Sequence, residues 1–540
     1  MSKSSSAMHR RSFLAFLGKG TAGFILLPTG WAACSTKPSA VDEKLGIKPL
    51  VPSAADELML ADGLSYQVLV RWGDPIAPDI HFGFNNDFTA YRPLDPANPD
   101  EGLLWVNHEY VDPRFVSGGG SGAAAAAAKT RDQVVAEMAA VGGSILHIRR
   151  DKNAWQVVSG DPLNRRLDGS TMIPFNWPEP IAGAKQAMGT LANCSGGMLP
   201  NGNILTCEEN YDQFYGERNT KTGAREPISS DMGWYRHFDN PPEHYGWVVE
   251  VNTLTGEAQK HVALGRCAHE CATVQELADG RLVVYTGDDA NDECLYKFIG
   301  SEPGSLREGT LYVARLDTGT WEAVVHERPE LNEAFADQTE VLIRLRQAAK
   351  LLGGTPLDRP EDIDIDPLTG HVLVSLTNNK PKGNLLGSIM KLEEENGDFA
   401  ALRFTTDTYL AGGKDTGFAC PDNMAFDPRG NLWFTSDISG SALNKGVYAS
   451  FGNNGLYLVP RSGPQAGEVI QVASAPVEAE LTGPWFSPDG RTLFLSVQHP
   501  GEQSADIKQP SSHWPDGGDS MPKPAVVTIQ GALLEAWSVV

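Results

Sequence analysis

Cysteine is scarce in this sequence, and its spacing argues against the commonest structural metal site. The 540 residues include seven cysteines, none of which forms a C-x-x-C pair. Zinc knots are usually built from such pairs, so a zinc knot is not expected. In an oxidising compartment Cys267 and Cys271 could pair with each other or with Cys294, and the sequence leaves these pairings open.

Basic residues are also few. The chain carries 44 Lys and Arg against 68 Asp and Glu, which gives a formal net charge of −24. Nucleic acids and anionic membrane surfaces bind fields of Lys and Arg, so neither is an expected partner. The acidic excess predicts either a solvated acidic surface or carboxylates that are committed to cations.

Two catalytic signatures are missing from the chain. The sequence has no G-x-x-x-x-G-K-[ST] string and no G-x-S-x-G string. The first absence argues against a nucleotide-driven transferase, and the second argues against a serine hydrolase of the nucleophile-elbow type.

Long apolar runs are missing as well. The apolar stretch that follows Arg10 and Arg11 is short and interrupted by glycine, so we expect no transmembrane anchor in the mature chain. Paired arginines before such a stretch predict a twin-arginine export signal over residues 1–34, with Cys34 as a candidate lipidation site. Residues 35–60 form a polar lead-in. The export machinery is therefore an expected partner, and the protein is expected to be periplasmic or secreted, or lipid-anchored through Cys34.

The chain does contain a repeat. Six short apolar strands run into a cluster of acids, amides or histidine, at residues 103–110, 202–210, 280–289, 370–379, 430–437 and 490–502. Six hairpin segments interleave with them, at residues 143–158, 246–258, 309–324, 387–402, 455–470 and 525–537. Each pair makes a four-stranded antiparallel unit, and six units predict an all-β, six-bladed β-propeller over residues 61–540. A pair of packed sheets with coincidental turns is the alternative.

The spacing of the repeats is uneven, which predicts loop and short helical insertions. The alanine-rich segment 117–129, continued by 132–144, and the segment 338–354 have helical character. The strand near 66–72 should complete a blade with the C-terminal strands, because a closed ring leaves no open sheet edge.

Propellers place strand ends around a central channel, so the acids that end the repeats are candidate ligands. The candidates are Glu109, Cys194, Glu208, Glu209, Glu270, Asp288, Asp289, Glu361, Asp362, Asp422 and Asn423. Calcium takes six to eight oxygen ligands, whereas iron or zinc accepts a thiolate beside carboxylates. Any one acid alone could be a solvated turn residue. If the set converges on one cavity, mutual repulsion should raise the carboxylate pKa values there when no cation is bound.

Arg359 stands out among the basic residues because it lies two positions before Glu361. Side chains two apart on a strand share a face, and a guanidinium fork suits a phosphoryl group. Pro360 follows, which predicts an extended backbone at Arg359. The alternative is that Arg359 only neutralises nearby carboxylates in a salt-bridge network.

At these motifs the chain resembles the PhoX-type alkaline phosphatases. The motifs are NHEY (107–110), the cysteine segment 193–216, GRCAHECATV (265–274), segment 283–299, RPEDIDID and its continuation (359–379), and PDNMAFDPRGNLWFTSD (421–437). The resemblance runs from about residue 65 to the C-terminus. It implies a six-bladed propeller that holds ferric iron and calcium around an oxo bridge and hydrolyses phosphomonoesters outside the cytoplasm.

The resemblance also implies roles for individual residues. Cys194 would be the thiolate ligand to iron, and the ligand set would be completed by Glu209, Glu270, Asp288, Glu361 and Asp422, with Glu109, Glu208 and Asn423 as further candidates. Arg359 would hold the phosphoryl oxygens, with Asn193 and Arg266 as further substrate-binding candidates. Arg359, Glu361 and Cys194 would form the catalytic group. The chain departs from the family pattern at Cys267, where an aromatic residue is usual, and at Cys271, where alanine is usual.

The expected function is therefore a monomeric, metal-dependent alkaline phosphatase that acts on small-molecule phosphate esters. A calcium-dependent propeller phytase or lactonase is one alternative, and a non-catalytic, calcium-stabilised binding propeller is another. Cys194 together with Arg359 favours the phosphatase, because a calcium-only site has no use for a thiolate.

Overall fold

Six antiparallel sheets form a ring in the computed structural model, which describes residues 46–226 and 232–537. We number the sheets as blades 1 to 6 in the chain order of their innermost strands. The first three blades contain the following strands. Blade 1 has Asn86–Asp95, Asn98–His108, Gly142–Asp151 and Ala154–Val157, with Arg165–Leu167 paired to the third strand; blade 2 has Asn193–Met198, Ile204–Glu208, Val248–Val251 and Ala258–His261; blade 3 has Thr273–Glu276, Arg281–Gly287, Leu295–Pro303, Gly309–Arg315 and Thr320–Ala323.

The other three blades follow along the chain. Blade 4 has Pro360–Ile365, Val372–Leu376, Ser388–Glu394 and Phe404–Ala411; blade 5 has Pro421–Phe426, Leu432–Ser436, Gly455–Val459 and Ile470–Ser474, extended by Met59–Leu60; blade 6 has Glu480–Phe486, Leu493–Gln498, Ala525–Gln530 and Ser65–Arg71. The predicted six-bladed β-propeller is confirmed.

The ring closes as the sequence predicted. Ser65–Arg71, from the beginning of the described chain, pairs with Ala525–Gln530 from its end. The innermost strand of blade 6, Glu480–Phe486, contacts the innermost strand of blade 1, Asn86–Asp95. Closure leaves no open edge between the first and last blades and brings all six innermost strands around one axis.

Two details of the strand prediction were wrong. Blade 3 has five strands, because Leu295–Pro303 pairs between Arg281–Gly287 and the predicted hairpin at 309–324. The predicted last strand, at 532–537, is a helix (Ala532–Trp537), since Ser65–Arg71 already occupies the fourth position of blade 6.

The helices predicted in the insertions are present at Ala123–Ala128, Arg131–Ala140, Gln338–Ile343 and Leu345–Leu351. The other α-helices among the described residues are Pro113–Val116, Asp212–Tyr215, Pro329–Asn332 and Ala532–Trp537. The short 3-10 helices are Trp234–Arg236, Pro242–His244, Val262–Leu264, Lys380–Lys382, Glu395–Gly397 and Gly446–Tyr448, and three two-stranded sheets join Pro75–Ala77 to Ile80–His81, Met172–Pro174 to Gln186–Met188, and Glu217–Arg218 to Arg225–Glu226. Arg131–Ala140 begins with a capping box, in which the side chains of Thr130 and Gln133 each bond the other residue's backbone N–H.

The core fills the spaces between blades. Trp105, Trp247 and Trp433 are fully buried there, which is where large apolar side chains contribute most to stability. Within the described residues, no helix is long and apolar enough to cross a membrane. The predicted export signal at 1–34 lies outside the described residues.

The six described cysteines are free thiols. Cys267, Cys271 and Cys294 are buried in apolar clusters, so the structure favours packing as small apolar side chains over the disulfide pairings that the sequence left open.

Candidate metal centre

A cavity of about 350 Å³ lies where the innermost strands begin, and carboxylates line most of it. The lining residues are Asp87, Glu109, Tyr110, Cys194, Glu209, Asn210, Glu270, Asp289, Arg359, Glu361, Lys380, Asp422, Asp437, Ser439, Gly440, Glu480, Thr482, Gln498, His499 and Glu502. We call this space the axial cavity. Such an excess of carboxylates over cationic side chains in one enclosed space is characteristic of a cation site.

One set of lining residues comes from the innermost strands, one from each blade. In order of blade these residues are Asp87, Cys194, Glu270, Glu361, Asp422 and Glu480. Five of them are the first or second residue of their strand, and Glu270 lies three residues before its strand. Because the strands start around one axis, residues up to nearly 400 positions apart meet in the same cavity.

A second set follows the next strand of five blades. These residues are Glu109, Glu209, Asp289, Asp437 and His499, each one or two positions after the strand ends. This is the position that the repeat in the sequence predicted for ligands. In blade 4, no described residue directly after the second strand lines the cavity, and Arg359, which precedes the innermost strand, lines it instead.

The backbone is in the left-handed region two residues before nearly every residue of the first set. Positive φ angles occur at Asn85 (40°), Ala192 (53°), Arg359 (56°), Cys420 (51°) and Glu478 (62°). Each precedes by two positions the cavity residue of its blade, with blade 3 as the exception. Such backbone costs about 1–3 kcal/mol per residue and is concentrated at functional sites. The expected extended backbone at Arg359 was therefore wrong.

Cys194 is the shared member of two candidate ligand groups. Its Sγ lies 3.4 Å from Asp87 Oδ2 and 3.3 Å from Glu270 Oε1. Ligand atoms of Asp87, Glu109 and Cys194 lie within 4.8 Å of one another, as do those of Cys194, Glu209 and Glu270. Cys194 would therefore be able to hold a metal ion together with either pair of carboxylates, Asp87 with Glu109 or Glu209 with Glu270.

Burial raises the pKa values of several cavity acids, and neighbouring negative charges add to the effect. The pKa of Glu270 is raised well above its usual value by burial and by the charges of Glu361 and Asp422. Burial and then the charges of Asp87 and Glu270 raise the pKa of the Cys194 thiol. The pKa values of Asp87, Glu209, Asp422 and Glu480 are raised well above normal in the same way. These groups need cations nearby to be ionised together at neutral pH, as the sequence argument expected.

Arg359 extends its guanidinium into this group of acids. Its Nε and Nη2 donate to the two carboxylate oxygens of Asp289 at 2.9 and 2.7 Å. Nη2 also lies 2.6 Å from Glu361 Oε1, and Nη1 lies 3.7 Å from Asp437. Arg359 and Glu361 thus meet as expected, and the salt-bridge network of the alternative interpretation is present as well.

Two adjacent pairs of acids separate in the structure. Glu209 and Asp289 line the axial cavity, whereas Glu208 and Asp288 point away from it. Glu208 binds Lys260 at 2.6 Å, and Asp288 accepts hydrogen bonds from Arg346 at 2.8 and 2.6 Å. Successive side chains point to opposite faces along extended backbone, so only one acid of each pair can face the axis. The structure therefore corrects the positions expected for Glu208 and Asp288.

Asn423 and Asp362 connect blades and do not line the axial cavity. Asn423 Oδ1 accepts from Gly483 N at 2.7 Å, and Asp362 Oδ2 accepts from Met424 N at 2.7 Å. Both bonds run to the innermost strand of the next blade. The placement of Asn423 as a metal ligand is therefore corrected as well.

The two further substrate-binding candidates also lie elsewhere. The Asn193 amide is buried and donates to Thr190 and Thr206 at 2.8 and 2.9 Å. Arg266 binds Glu217 at 3.0 Å and lies 4.5 Å from the ring centroid of Tyr211. Both side chains are occupied by structural contacts, which corrects their placement at the phosphoryl group.

Sequence reasoning missed four acids of the cavity. Asp87 and Glu480 lie at the start of innermost strands, outside the six repeats, and Asp437 and Glu502 are the last residues of two repeats but were not among the candidates. The available signal was an acid or cysteine at the start of each strand that precedes a repeat.

A closed six-bladed propeller with a buried ring of carboxylates and one thiol at its axis defines a metal-binding propeller enzyme. The chain belongs to the PhoX alkaline phosphatase family, whose model, described as alkaline phosphatase PhoX, matches residues 45–501. The resemblance read from the sequence motifs is confirmed. The protein is therefore a metal-dependent phosphatase.

The chain is also similar to solved structures. Pseudomonas fluorescens PhoX, solved in complex with vanadate, a transition state analogue, is 28% identical with a TM-score of 0.81, over 91% of this chain and 98% of that chain. A Dyadobacter fermentans protein of unknown function is 10% identical with a TM-score of 0.41, over 87% of this chain and 100% of that chain. A putative gluconolactonase is 10% identical with a TM-score of 0.35, over 90% and 98%. No curated protein sequence matches the chain.

Proposed function

We propose that this protein hydrolyses small-molecule phosphate monoesters at a centre of iron and calcium ions held in the axial cavity. One observation carries the proposal: Cys194 lies between two pairs of carboxylates, Asp87 with Glu109 and Glu209 with Glu270. A calcium site binds oxygen only, so a thiol placed at the centre of the acids supports a transition metal in addition to calcium.

The donor set fits a mixed centre. Iron would be held by Cys194 with the carboxylates next to it, and calcium by the oxygen-only part of the cavity, where Glu361, Asp422 and Glu480 lie. The raised pKa values of these acids support the fit, because bound cations would allow carboxylates this close together to ionise. When bound, such ions polarise a phosphoryl group and neutralise its negative charge.

The residues of the chain supply orientation and charge. Arg359 presents a planar fork toward the cavity, and Asp289 holds that fork through two hydrogen bonds. The N–H groups on Nη1 would remain for phosphoryl oxygens, and the fixed guanidinium would complement the charge that grows on those oxygens during transfer. Lys380 is a second cation in the lining. The roles of Arg359 and Glu361 in catalysis stay part of the proposal.

The location of the enzyme belongs to the proposal as well. Export through a twin-arginine signal at Arg10 and Arg11, with anchoring at Cys34 if that residue is lipidated, would place a monomeric phosphatase where external phosphate esters reach it. Replacement of both arginines by lysine should leave the full-length chain in the cytoplasmic fraction. Unchanged export would contradict the signal.

Metal analysis combined with turnover of p-nitrophenyl phosphate at alkaline pH tests the function. We expect iron and calcium in the purified protein, and we expect Cys194→Ser to lose iron and activity together. Cys294→Ser is the matched control, because Cys294 is buried outside the axial cavity, and it should keep both. A protein that contains calcium alone and does not turn over the ester would be a binding propeller, and the proposal would be wrong.

A further inference from the structure

Glu270 is positioned differently from the other five residues that the innermost strands bring to the axial cavity. It lies three residues before its strand, in an irregular segment at 265–271. Ala268, two positions before it, is not in the left-handed region, so the backbone turn found in the other five blades is missing here. Other contacts therefore hold Glu270 in the candidate ligand group that it shares with Cys194 and Glu209.

The buried carboxylate of Asp288 binds this segment. Asp288 is 0% exposed, and its Oδ1 accepts a hydrogen bond from Ala268 N at 3.1 Å. The next residue, Asp289, donates its backbone N–H to Ala268 O at 2.9 Å. Glu270 follows Ala268 by two residues, and Asp289 holds the fork of Arg359. The contact at Ala268 thus fixes an acid of the axial cavity relative to its arginine.

Arg346 in turn fixes the Asp288 carboxylate. Its Nε and Nη2 donate to Asp288 Oδ2 and Oδ1 at 2.8 and 2.6 Å. A bidentate pair of this kind sets both the position and the plane of a carboxylate. If the guanidinium were removed, Asp288 would be a buried charge without its cationic partner, which is strongly unfavourable. The backbone that Asp288 binds would then be expected to rearrange.

The helix that carries Arg346 packs against the same segment. Arg346 is the second residue of helix Leu345–Leu351, and Leu345, the first, is 0% exposed. A Cβ added to Gly265, at the start of the segment, would lie only 2.6 Å from Leu345 Cδ2. The helix and the segment are therefore in close contact, and Arg346 lies on an element whose position is itself fixed by packing.

Arg346 and Asp288 lie outside the axial cavity, since neither belongs to its lining. Arg346 lines a separate cavity of about 440 Å³, together with Arg344 and Gln347. We call this second space the outer cavity. A side chain there does not contact a metal or a substrate in the axial cavity, so its influence on either would pass through Asp288.

We infer that Arg346 is a positioning residue for the metal centre. It holds Asp288, and Asp288 with its neighbour Asp289 holds the segment that carries Glu270. Loss of the guanidinium should therefore weaken metal binding at Glu270 and loosen the fork of Arg359. The inference rests on the proposed phosphatase function, and it gives the helical insertion a role in that function.

The test removes the guanidinium and then returns it. Arg346→Ala should lower kcat/KM for p-nitrophenyl phosphate by about tenfold and reduce the metal content of the purified enzyme, which is the effect expected from loss of a group that orients metal ligands. Guanidinium chloride, far below the concentrations that unfold proteins, should restore both when iron and calcium are supplied again, because the side chain that it replaces lines the outer cavity. Sodium chloride at the same ionic strength should restore neither.

Arg344→Ala is the matched control. Arg344 lines the same outer cavity, but its guanidinium binds Glu340 and Gln347, and none of its hydrogen bonds within the described residues reaches Asp288. This variant should keep the wild-type kcat/KM and metal content, and guanidinium should not change them.

Asp288→Asn tests whether Arg346 acts through Asp288. In the Asp288→Asn background, Arg346→Ala should cause little further loss, because two residues that act as a unit are not additive. Guanidinium should not rescue the double variant. Full additivity of the two substitutions would contradict the inference.

The remaining outcomes separate the inference from the proposed function. Wild-type kcat/KM and metal content in Arg346→Ala would overturn the inference, and so would a loss that guanidinium does not reverse, because a general structural defect has that result. If Arg346→Ala does not fold, Arg346→Lys keeps the charge and loses the bidentate geometry: lower metal content and turnover support the inference, and wild-type values overturn it. If the wild-type enzyme does not hydrolyse the ester, the proposed function is wrong, and the metal content of the same variants decides the inference alone.

Discussion

The adjacent residues Glu208 and Glu209 should respond in opposite ways to the same substitution. Glu208 is fully buried, and its carboxylate binds Lys260 Nζ at 2.6 Å and accepts from the backbone N–H groups of Gly246 and Trp247 at 3.0 and 3.1 Å. Glu209 lines the axial cavity, where burial and the charges of Glu270 and Asp289 raise its pKa. Glu208 therefore has cationic and N–H partners, whereas Glu209 has acidic neighbours.

The magnitude for Glu208→Gln follows from its contacts. Removal of one partner of a buried ion pair costs about 3–5 kcal/mol, because the other charge stays buried. Glutamine keeps an acceptor for the two N–H groups, and Lys260 keeps its bond to His244 O at 2.9 Å. We therefore expect the free energy of unfolding to fall by about 3 kcal/mol, the lower end of that range. A chain of 540 residues has an unfolding entropy of roughly 1.1 kcal/mol/K near 60 °C, so the Tm should fall by about 3 °C.

Glu209→Gln removes a negative charge from a group of like charges. The metal-free protein should therefore melt at the wild-type temperature or above it, whereas the metal content of the purified protein should fall. Calorimetric melting before and after chelation, together with elemental analysis of the same samples, measures both effects. Loss of metal from Glu208→Gln at an unchanged Tm, or destabilisation of the chelated Glu209→Gln protein, would refute this assignment of the two glutamates.

Two further results are expected at the same centre. Arg359→Lys keeps the charge and loses the fork, so phosphatase activity should fall by roughly tenfold or more, on the order of 1.4 kcal/mol, with metal content and Tm nearly unchanged; wild-type turnover, or loss of the metals, would show that Arg359 is structural. Chelation should lower the Tm more at pH 8.5 than at pH 5.5. The folded-state pKa values of Glu270, Asp422 and Glu480 are raised, so the metal-free folded protein keeps protons that the unfolded chain has already released. This linkage stabilises the metal-free fold at low pH, and the stabilisation is lost as pH rises above about 4, the pKa of these groups in the unfolded chain. A pH-independent difference between loaded and chelated melts would contradict the crowded-carboxylate argument.

Much of the architecture could be predicted from the sequence because the repeat marks the same strand in every blade. A strand that ends just before Glu109, Glu209 or Asp437 has the same local pattern each time. Closure through residues 66–72 followed from the need to pair the last sheet. The sequence could not decide between Glu208 and Glu209, since a shift of one residue moves a side chain to the opposite face. That choice depends on strand register, which the contacts between blades determine.

The left-handed residues explain why the backbone turn before the innermost strands escaped prediction. Local preference disfavours a positive φ at Ala192, Arg359 and Cys420, and the proline after Arg359 favours extended backbone. The structure adopts the unfavourable conformation at corresponding positions of five blades, so the packing of the blades must impose it against local preference. Its repetition two residues before each cavity side chain indicates that this backbone turn directs those side chains to the axis. The ring of cavity side chains is thus a property of the closed propeller, and a short window of sequence around any one of these residues does not contain it.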